Sequence, residues 1–240
     1  GGSFSWNTAT TSIGIAASGV NSIPSFTAIN AGTTSVTSSI NVSVELNGCI
    51  GNTGQFDITV KPKPQAVVPA NSTHCSGATV AAVSFSSTPV GATYTWTNNL
   101  TAIGLGASGG GNVSSLIASN LTATAHTGTI SVTPTLNGCI GDAGNYTITV
   151  APKATVVVPA NQTVCDGGSV SATSLTSVPP GATYTWANSN TSIGLAAGGN
   201  GDVPTFLGTN SSSSLISGTI TVTPTIAGCV GTSSNYTISV

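Results

Sequence analysis

The sequence repeats itself every 90 residues, and that interval leaves few folds open. The tryptophans stand at Trp6, Trp96 and Trp186, closing the stretches GGSFSW (Gly1–Trp6), GATYTW (Gly91–Trp96) and GATYTW (Gly181–Trp186). In the full copies an aromatic, a threonine and Trp alternate. Period-two alternation puts Tyr94 with Trp96, and Tyr184 with Trp186, on one face of an extended strand. The same interval relates SIGIAASG (Ser12–Gly19), AIGLGASG (Ala102–Gly109) and SIGLAAGG (Ser192–Gly199). It also relates LNGCIG (Leu46–Gly51), LNGCIG (Leu136–Gly141) and IAGCVG (Ile226–Gly231). Self-similarity at a fixed period is the mark of an array of supersecondary units.

Proline and lysine mark the joints, KPKPQ (Lys61–Gln65) and APKAT (Ala151–Thr155). Pro62, Pro64 and Pro152 stiffen these connections and remove backbone donors. The expected division is a partial unit over residues 1–63 and complete units over 64–153 and 154–240.

Within the middle unit, short alternating runs separated by Gly, Asn and Pro read as strands. We letter them A near Gln65–Ala70, B near Thr79–Phe85, C at Ala92–Thr97 and C′ at Ala102–Ala107. A glycine-rich turn at Ser108–Asn112 leads to E near Val113–Ser119, F near Gly128–Thr135 and G at Asn145–Val150. Strand G sets Tyr146, Ile148 and Val150 on one face and threonines on the other, the pattern of a half-buried antiparallel strand. No stretch reads as a helix of useful length. Seven strands in about 90 residues is the arithmetic of an immunoglobulin-like sandwich, so the fold class is all-β, tandem sandwiches in a linear array. The first unit starts at C and lacks A and B. The expectation is that these residues come from a longer array, with strand supply by another molecule as the alternative.

Charge excludes several function classes. The chain has 3 Lys+Arg and 5 Asp+Glu, a charged fraction of 3%, against about 25% in ordinary domains. Lys61, Lys63 and Lys153 cannot build a basic patch for nucleic acid or for an anionic membrane surface. No apolar run approaches the roughly 18 residues of a membrane-spanning helix. The glycine runs Gly104–Asn112 and Gly194–Gly201 lack the helix and Lys-Ser/Thr of a phosphate loop and read as turns. Asp142 and Asp166 flank cysteine turns, His74 and His126 do not recur, and no motif frames a nucleophile or a metal site. The chain reads as neither enzyme nor cofactor or metal binder.

Five cysteines recur with the repeat: Cys49, Cys139 and Cys229 in the GC turns, and Cys75 and Cys165 just before strand B. Pairing inside a unit would give Cys75–Cys139 and Cys165–Cys229. In a sandwich, however, these turns lie at opposite ends, about 25 Å apart for strands of eight residues, and a disulfide needs Cα atoms within about 7 Å. Pairing between consecutive units gives Cys75–Cys229, with Cys49, Cys139 and Cys165 left for neighbours. Both pairings and free thiols stay open at this point.

The string ATYTW…IGL…TITVTP…GC.G…YTI.V resembles the PKD-like, immunoglobulin-fold repeats of giant Bacteroidota surface proteins, of which gliding-motility adhesins exported by type 9 secretion are examples. The resemblance spans essentially the whole chain. It implies an extracellular, cell-surface stalk or adhesive fibre whose partners are neighbouring repeats or other copies. The other function class is a carbohydrate-binding module of a secreted protein. It would need exposed aromatics for surface glycans, with Phe26 and Phe206 as candidates.

Overall fold

A computed structural model describes all 240 residues. Hydrogen bonding falls into three blocks that repeat at the sequence interval. Each block has a sheet in the order C′, C, F, G. These are Ser18–Val20, Ser3–Asn7, Val36–Leu46 and Gly54–Val60 in the first block. In the middle block they are Ser108–Gly110, Thr93–Asn98, His126–Leu136 and Gly144–Ala151. In the third they are Gly198–Asn200, Thr183–Asn188, Ser217–Ile226 and Ser234–Ser239.

The middle and third blocks add a second layer. In the middle block, A (Gln65–Val67) pairs with the end of B (Ser86–Thr88), and the start of B (Thr79–Val80) pairs with E (Leu116–Ile117). The chain then crosses from this layer to the other as A′ (Ser72–Cys75), which runs parallel to G. The third block repeats this with Thr155–Val157, Thr176–Val178, Ser169–Val170, Phe206–Leu207 and Gln162–Thr163. Strand B is interrupted because its inward positions change parity. Val80 faces in, as do Phe85 and Ser87, and that switch takes an extra residue, as at a β-bulge.

Two placements differ from the alternating pattern. Thr101–Ile103 forms a single 3-10 turn, and the C′ edge strand is the glycine run Ser108–Gly110, which had read as a turn. The cause lies across the sheet, where Trp96 stands opposite Gly109, Trp6 opposite Gly19 and Trp186 opposite Gly199. Each indole lies against its glycine. A Cβ on Gly199 would come within 2.6 Å of Cζ2 of Trp186, and one on Gly19 within 2.7 Å of Cε2 of Trp6. The glycines are there for this close approach. None of the indole N–H groups has a hydrogen-bond acceptor, so packing alone holds the rings.

The core follows the layers. Twelve buried apolar residues fill each complete block, including Trp96, Ile130 and Tyr146 in the middle one and Trp186, Ile220 and Tyr236 in the third. In the first block the buried apolar cluster is only Trp6, Ile13, Ile15 and Ile40. Tyr94 and Tyr184 point inward and are partly buried against the cores, whereas Phe4, the counterpart of Tyr94, is 49% exposed.

At the end of C an inward polar residue braces the loop that follows. Asn98 Nδ2 donates to the Leu105 carbonyl at 3.0 Å and Oδ1 accepts from Leu100 N–H at 3.1 Å; Asn188 does the same with Leu195 and Asn190. The carboxamide leaves no room beneath it, and a Cβ on Gly218 would stand 2.6 Å from Asn188 Oδ1. The first block changes both partners, placing Thr8 against Ser38 with hydroxyls 2.7 Å apart. A smaller residue on C allows a larger one on F.

Gly109→Ala forces the Trp96 indole out of its seat. It should cost about 1–3 kcal/mol, the usual range for overpacking. Trp96→Ala should cost roughly 3–5 kcal/mol. Denaturant unfolding followed by circular dichroism reads both.

Candidate functional site

The recurring cysteines of this chain lie at the ends of its blocks. Strand F outruns G and folds back on itself through a two-residue turn. Asn137 and Gly138 take φ 51 and 84, and the next residue, Cys139, pairs with Leu136. Asn-Gly suits this turn because both positions need positive φ. The first block uses Asn47–Gly48, and the third sets Ala227 at φ 49. Each turn thus carries its cysteine at the upper tip of a block. The other recurring cysteine ends A′, opposite Ala151 at the lower end of G.

Tip and lower end meet between the middle and third blocks. Cys75 is bonded to Cys229, with S–S 1.98 Å, Cα–Cα 5.7 Å and a sequence separation of 154. Cys75 and Cys139 lie at opposite ends of one sheet and are not joined. Cys49 and Cys165 are exposed free thiols, and Cys139 is a half-buried one. Burial of the tip tracks its surroundings. Leu46 beside Cys49 is 53% exposed, Leu136 beside Cys139 is half-buried, and Ile226 beside the bonded Cys229 is 7% exposed.

The joints are packed as well as stapled. Pro62, Pro64 and Pro152 are all buried. The Pro64 carbonyl accepts from Asp142 N–H at 3.2 Å, and the Ala154 carbonyl accepts from Thr232 N–H at 3.0 Å. Lys61 donates to the Asn137 carbonyl at 2.9 Å, and Lys63 forms an ion pair with Asp142. Both side chains of that pair are more than half exposed, so it contributes on the order of 0–1 kcal/mol. The other joint has Thr232 in place of the acid.

The sequence did not disclose the bracing role of several residues. Asn120 Nδ2 donates to the Thr124 and Val150 carbonyls, both at 2.7 Å, tying the E–F loop to the end of G. Asn30 and Asn210 repeat those bonds with Val60 and Val240. Asn71 and Asn161 accept from Thr147 and Thr237 N–H. Asp202 accepts from Leu175 N–H as Asn112 does from Phe85 N–H, and Asp166 accepts from Asn210 N–H. These acids are loop anchors. The signal that would have found them is recurrence at the repeat interval, with Asp, Asn and Ser exchanging as acceptors. His74 and His126 bond the hydroxyls of Ser72 and Thr122.

A cleft of about 220 Å³ opens between A′ and B of the middle block, lined by Pro69, His74, Val80, Val83, Tyr146 and others. It is below the roughly 300 Å³ at which small-molecule pockets begin, and it reads as a packing gap. Phe206 and Phe26 pack against the third and first cores, so neither forms an open stacking platform. The Tyr146 hydroxyl is buried without a hydrogen-bond partner. Burial raises both phenols above the ordinary 10.0; Thr173 beside Tyr236 partly opposes the shift, and Val83 holds that position in the middle block.

Comparison with known proteins fits this architecture. Residues 67–154 match the PKD-like domain family. No curated protein sequence matches the chain. Among solved structures, mouse cadherin-23 EC22-24 is 9% identical at a TM-score of 0.37, over 98% of this chain and 85% of that one. Sidekick-1 immunoglobulin domains 1–5 are 14% identical at 0.37, over 99% and 54%. Human CDH23 EC21-23 is 11% identical at 0.38, over 98% and 88%. At these scores the structural likenesses carry no argument of their own. The two-layer sheet topology, with the match over residues 67–154, gives an immunoglobulin/PKD-like β-sandwich fold.

Tyr146→Phe removes a buried hydroxyl that has no partner, so it should leave stability unchanged or raise it by about 1 kcal/mol. Because the folded pKa is raised, the stability gained by keeping this phenol neutral is complete below pH 10.0 and falls as pH climbs through the folded value. Denaturant midpoints measured from pH 8 upward should decline less steeply in the variant.

Proposed function

We propose that this chain is a load-bearing spacer of an extracellular surface protein, built from units at residues 1–63, 64–153 and 154–240. The observation that carries the reading is the Cys75–Cys229 bond, which runs from the lower end of one sandwich to the upper tip of the next. A bond in that position stabilises neither unit's own core. It fixes their succession. Buried prolines at both joints support the same reading, and so does a family match to PKD-like domains. A structural disulfide favours an oxidising compartment. The resemblance of the repeat motifs to Bacteroidota gliding adhesins points to a bacterial cell surface. The role is mechanical and non-catalytic, with neighbouring repeats or other copies as partners.

The staple has a mechanical consequence. When the ends are pulled, load travels along residues 1–75, across the disulfide, and out through residues 229–240. Everything between the two cysteines is shielded from extension. Most of the middle and third sandwiches therefore stay folded at forces that would open them one after another in a reduced chain.

Single-molecule stretching from both ends reads this directly. At about 3.5 Å per residue, reduction or Cys75→Ser should add on the order of 500 Å of releasable length over the oxidised chain. Equal extension in the two states would overturn the shielded-spacer reading.

A further inference from the structure

The two cysteines of the staple are placed by one short stretch of chain, the connector Ala151–Thr155. Cys75 ends A′, which runs parallel to G with Ser72 opposite Ile148 and Cys75 opposite Ala151. Just beyond it, Ser76 N–H donates to the Ala151 carbonyl at 2.8 Å and Gly77 N–H to the Ala118 carbonyl at 2.7 Å. Asn120 N–H donates to Ser76 Oγ at 3.0 Å. Cys75 is thus held by the E region and by G of its own sandwich. Cys229 follows the F turn of the third block and is 3% exposed. Its tip is seated at the other end of the connector. There Thr232 N–H donates to the carbonyl of Ala154, a fully buried residue, at 3.0 Å, and Thr232 bridges to Thr155. Cysteines 154 residues apart in sequence are so brought together on one connector.

The seat uses a residue with no side chain. A Cβ on Gly231 would run into the Ala154 carbonyl and stand 2.7 Å from Pro224 Cγ. Gly141 holds the same place at the other joint, where a Cβ would run into the Pro64 carbonyl and stand 2.8 Å from Pro134 Cγ. Chain statistics alone do not favour the staple. Cys139 and Cys165 are separated by 165 − 139 = 26 residues, against 154 for the bonded pair. Loop closure in an unfolded chain therefore favours the shorter pair by on the order of tenfold.

We infer that the staple is a latch conditional on assembly: Gly231 seats the third block's tip on the connector, and only then are Cys75 and Cys229 joined. The inference is independent of the load-path reading, since it concerns when the bond closes and not what it carries. Closure proceeds by thiol–disulfide exchange with a small disulfide such as glutathione disulfide. The Cys75 thiolate, on the half-buried member of the pair, attacks that disulfide and releases one glutathione as a thiol. The Cys229 thiolate then displaces the second glutathione. Two protein thiols are oxidised to one S–S bond as one glutathione disulfide is reduced to two thiols.

The test equilibrates the full 240-residue chain with glutathione and glutathione disulfide, traps free thiols with iodoacetamide and maps the linked peptides. In native buffer Cys75–Cys229 should be the main bond, and in denaturant it should fall below Cys139–Cys165. Gly231→Ala should lower the ratio of stapled to reduced chain at least tenfold, with circular dichroism unchanged. Gly141→Ala, the same change at the other joint, should leave the staple at the parent level. In the fully reduced parent chain the Thr232 amide should already exchange slowly, since the tip is seated before the bond closes. A Gly231→Ala chain stapled as fully as the parent would overturn the proposal. So would equal losses in the two glycine variants, a staple as abundant in denaturant as in native buffer, or a Thr232 amide protected only after oxidation.

Discussion

A sheet with one apolar face has to be covered, and everything else in this chain follows from how that is met. Trp96 and Trp186, Tyr146 and Tyr236, and the valines and isoleucines of F and G all point to one side of their sheets. In the complete blocks the A–B–E layer closes over them. In the first block, the same C, F and G strands form with the same register between Trp6 and Val42, yet the far half of the face stays open. In the complete blocks that layer closes over Tyr146 and Tyr236, which join the buried clusters. Trp6 and Ile40 are buried with Ile13 and Ile15 from the loop after C, and Ile23, Phe26, Val36, Val42, Ile58 and Val60 pack against them.

The outer faces solve a different problem, staying wet without charge. Threonine and serine hydroxyls pair across strands: Thr37 with Thr59, Thr127 with Thr149 and Ser217 with Ser239, at 2.8–2.9 Å. Such cross-strand pairs contribute a few tenths of a kcal/mol each. They also keep the surface weakly self-repelling, which lets like units sit close together.

What was legible in the sequence is what local pattern encodes. The interval, strand C, and the alternation of F and G all survive in the structure because each depends on side chains standing one after another. The C′ strand did not show itself. Ser108–Gly110 carries no side-chain pattern, and its identity is set by an indole on the neighbouring strand. Ile103 and Leu105, which looked like an alternating strand, instead plug the core from a turn. The bracing asparagines were hidden for another reason: each bonds carbonyls far along the chain, such as Asn120 with Val150. Their recurrence at Asn30, Asn120 and Asn210 was nevertheless in plain sight, and treating polar residues by the same interval as the aromatics would have found them.

The scarcity of charge bears most heavily on the joints. Exposed ion pairs are weak and screened by salt. The joint between the first and middle blocks has one exposed pair, Lys63 with Asp142. The joint between the middle and third replaces it with a neutral contact at Thr232 and a covalent bond. Salt loosens the first kind of restraint and leaves the second untouched, whereas a reductant does the reverse. A chain of this composition therefore holds the relation between its units through buried prolines and sulfur, and the order of the array depends on redox state more than on ionic strength.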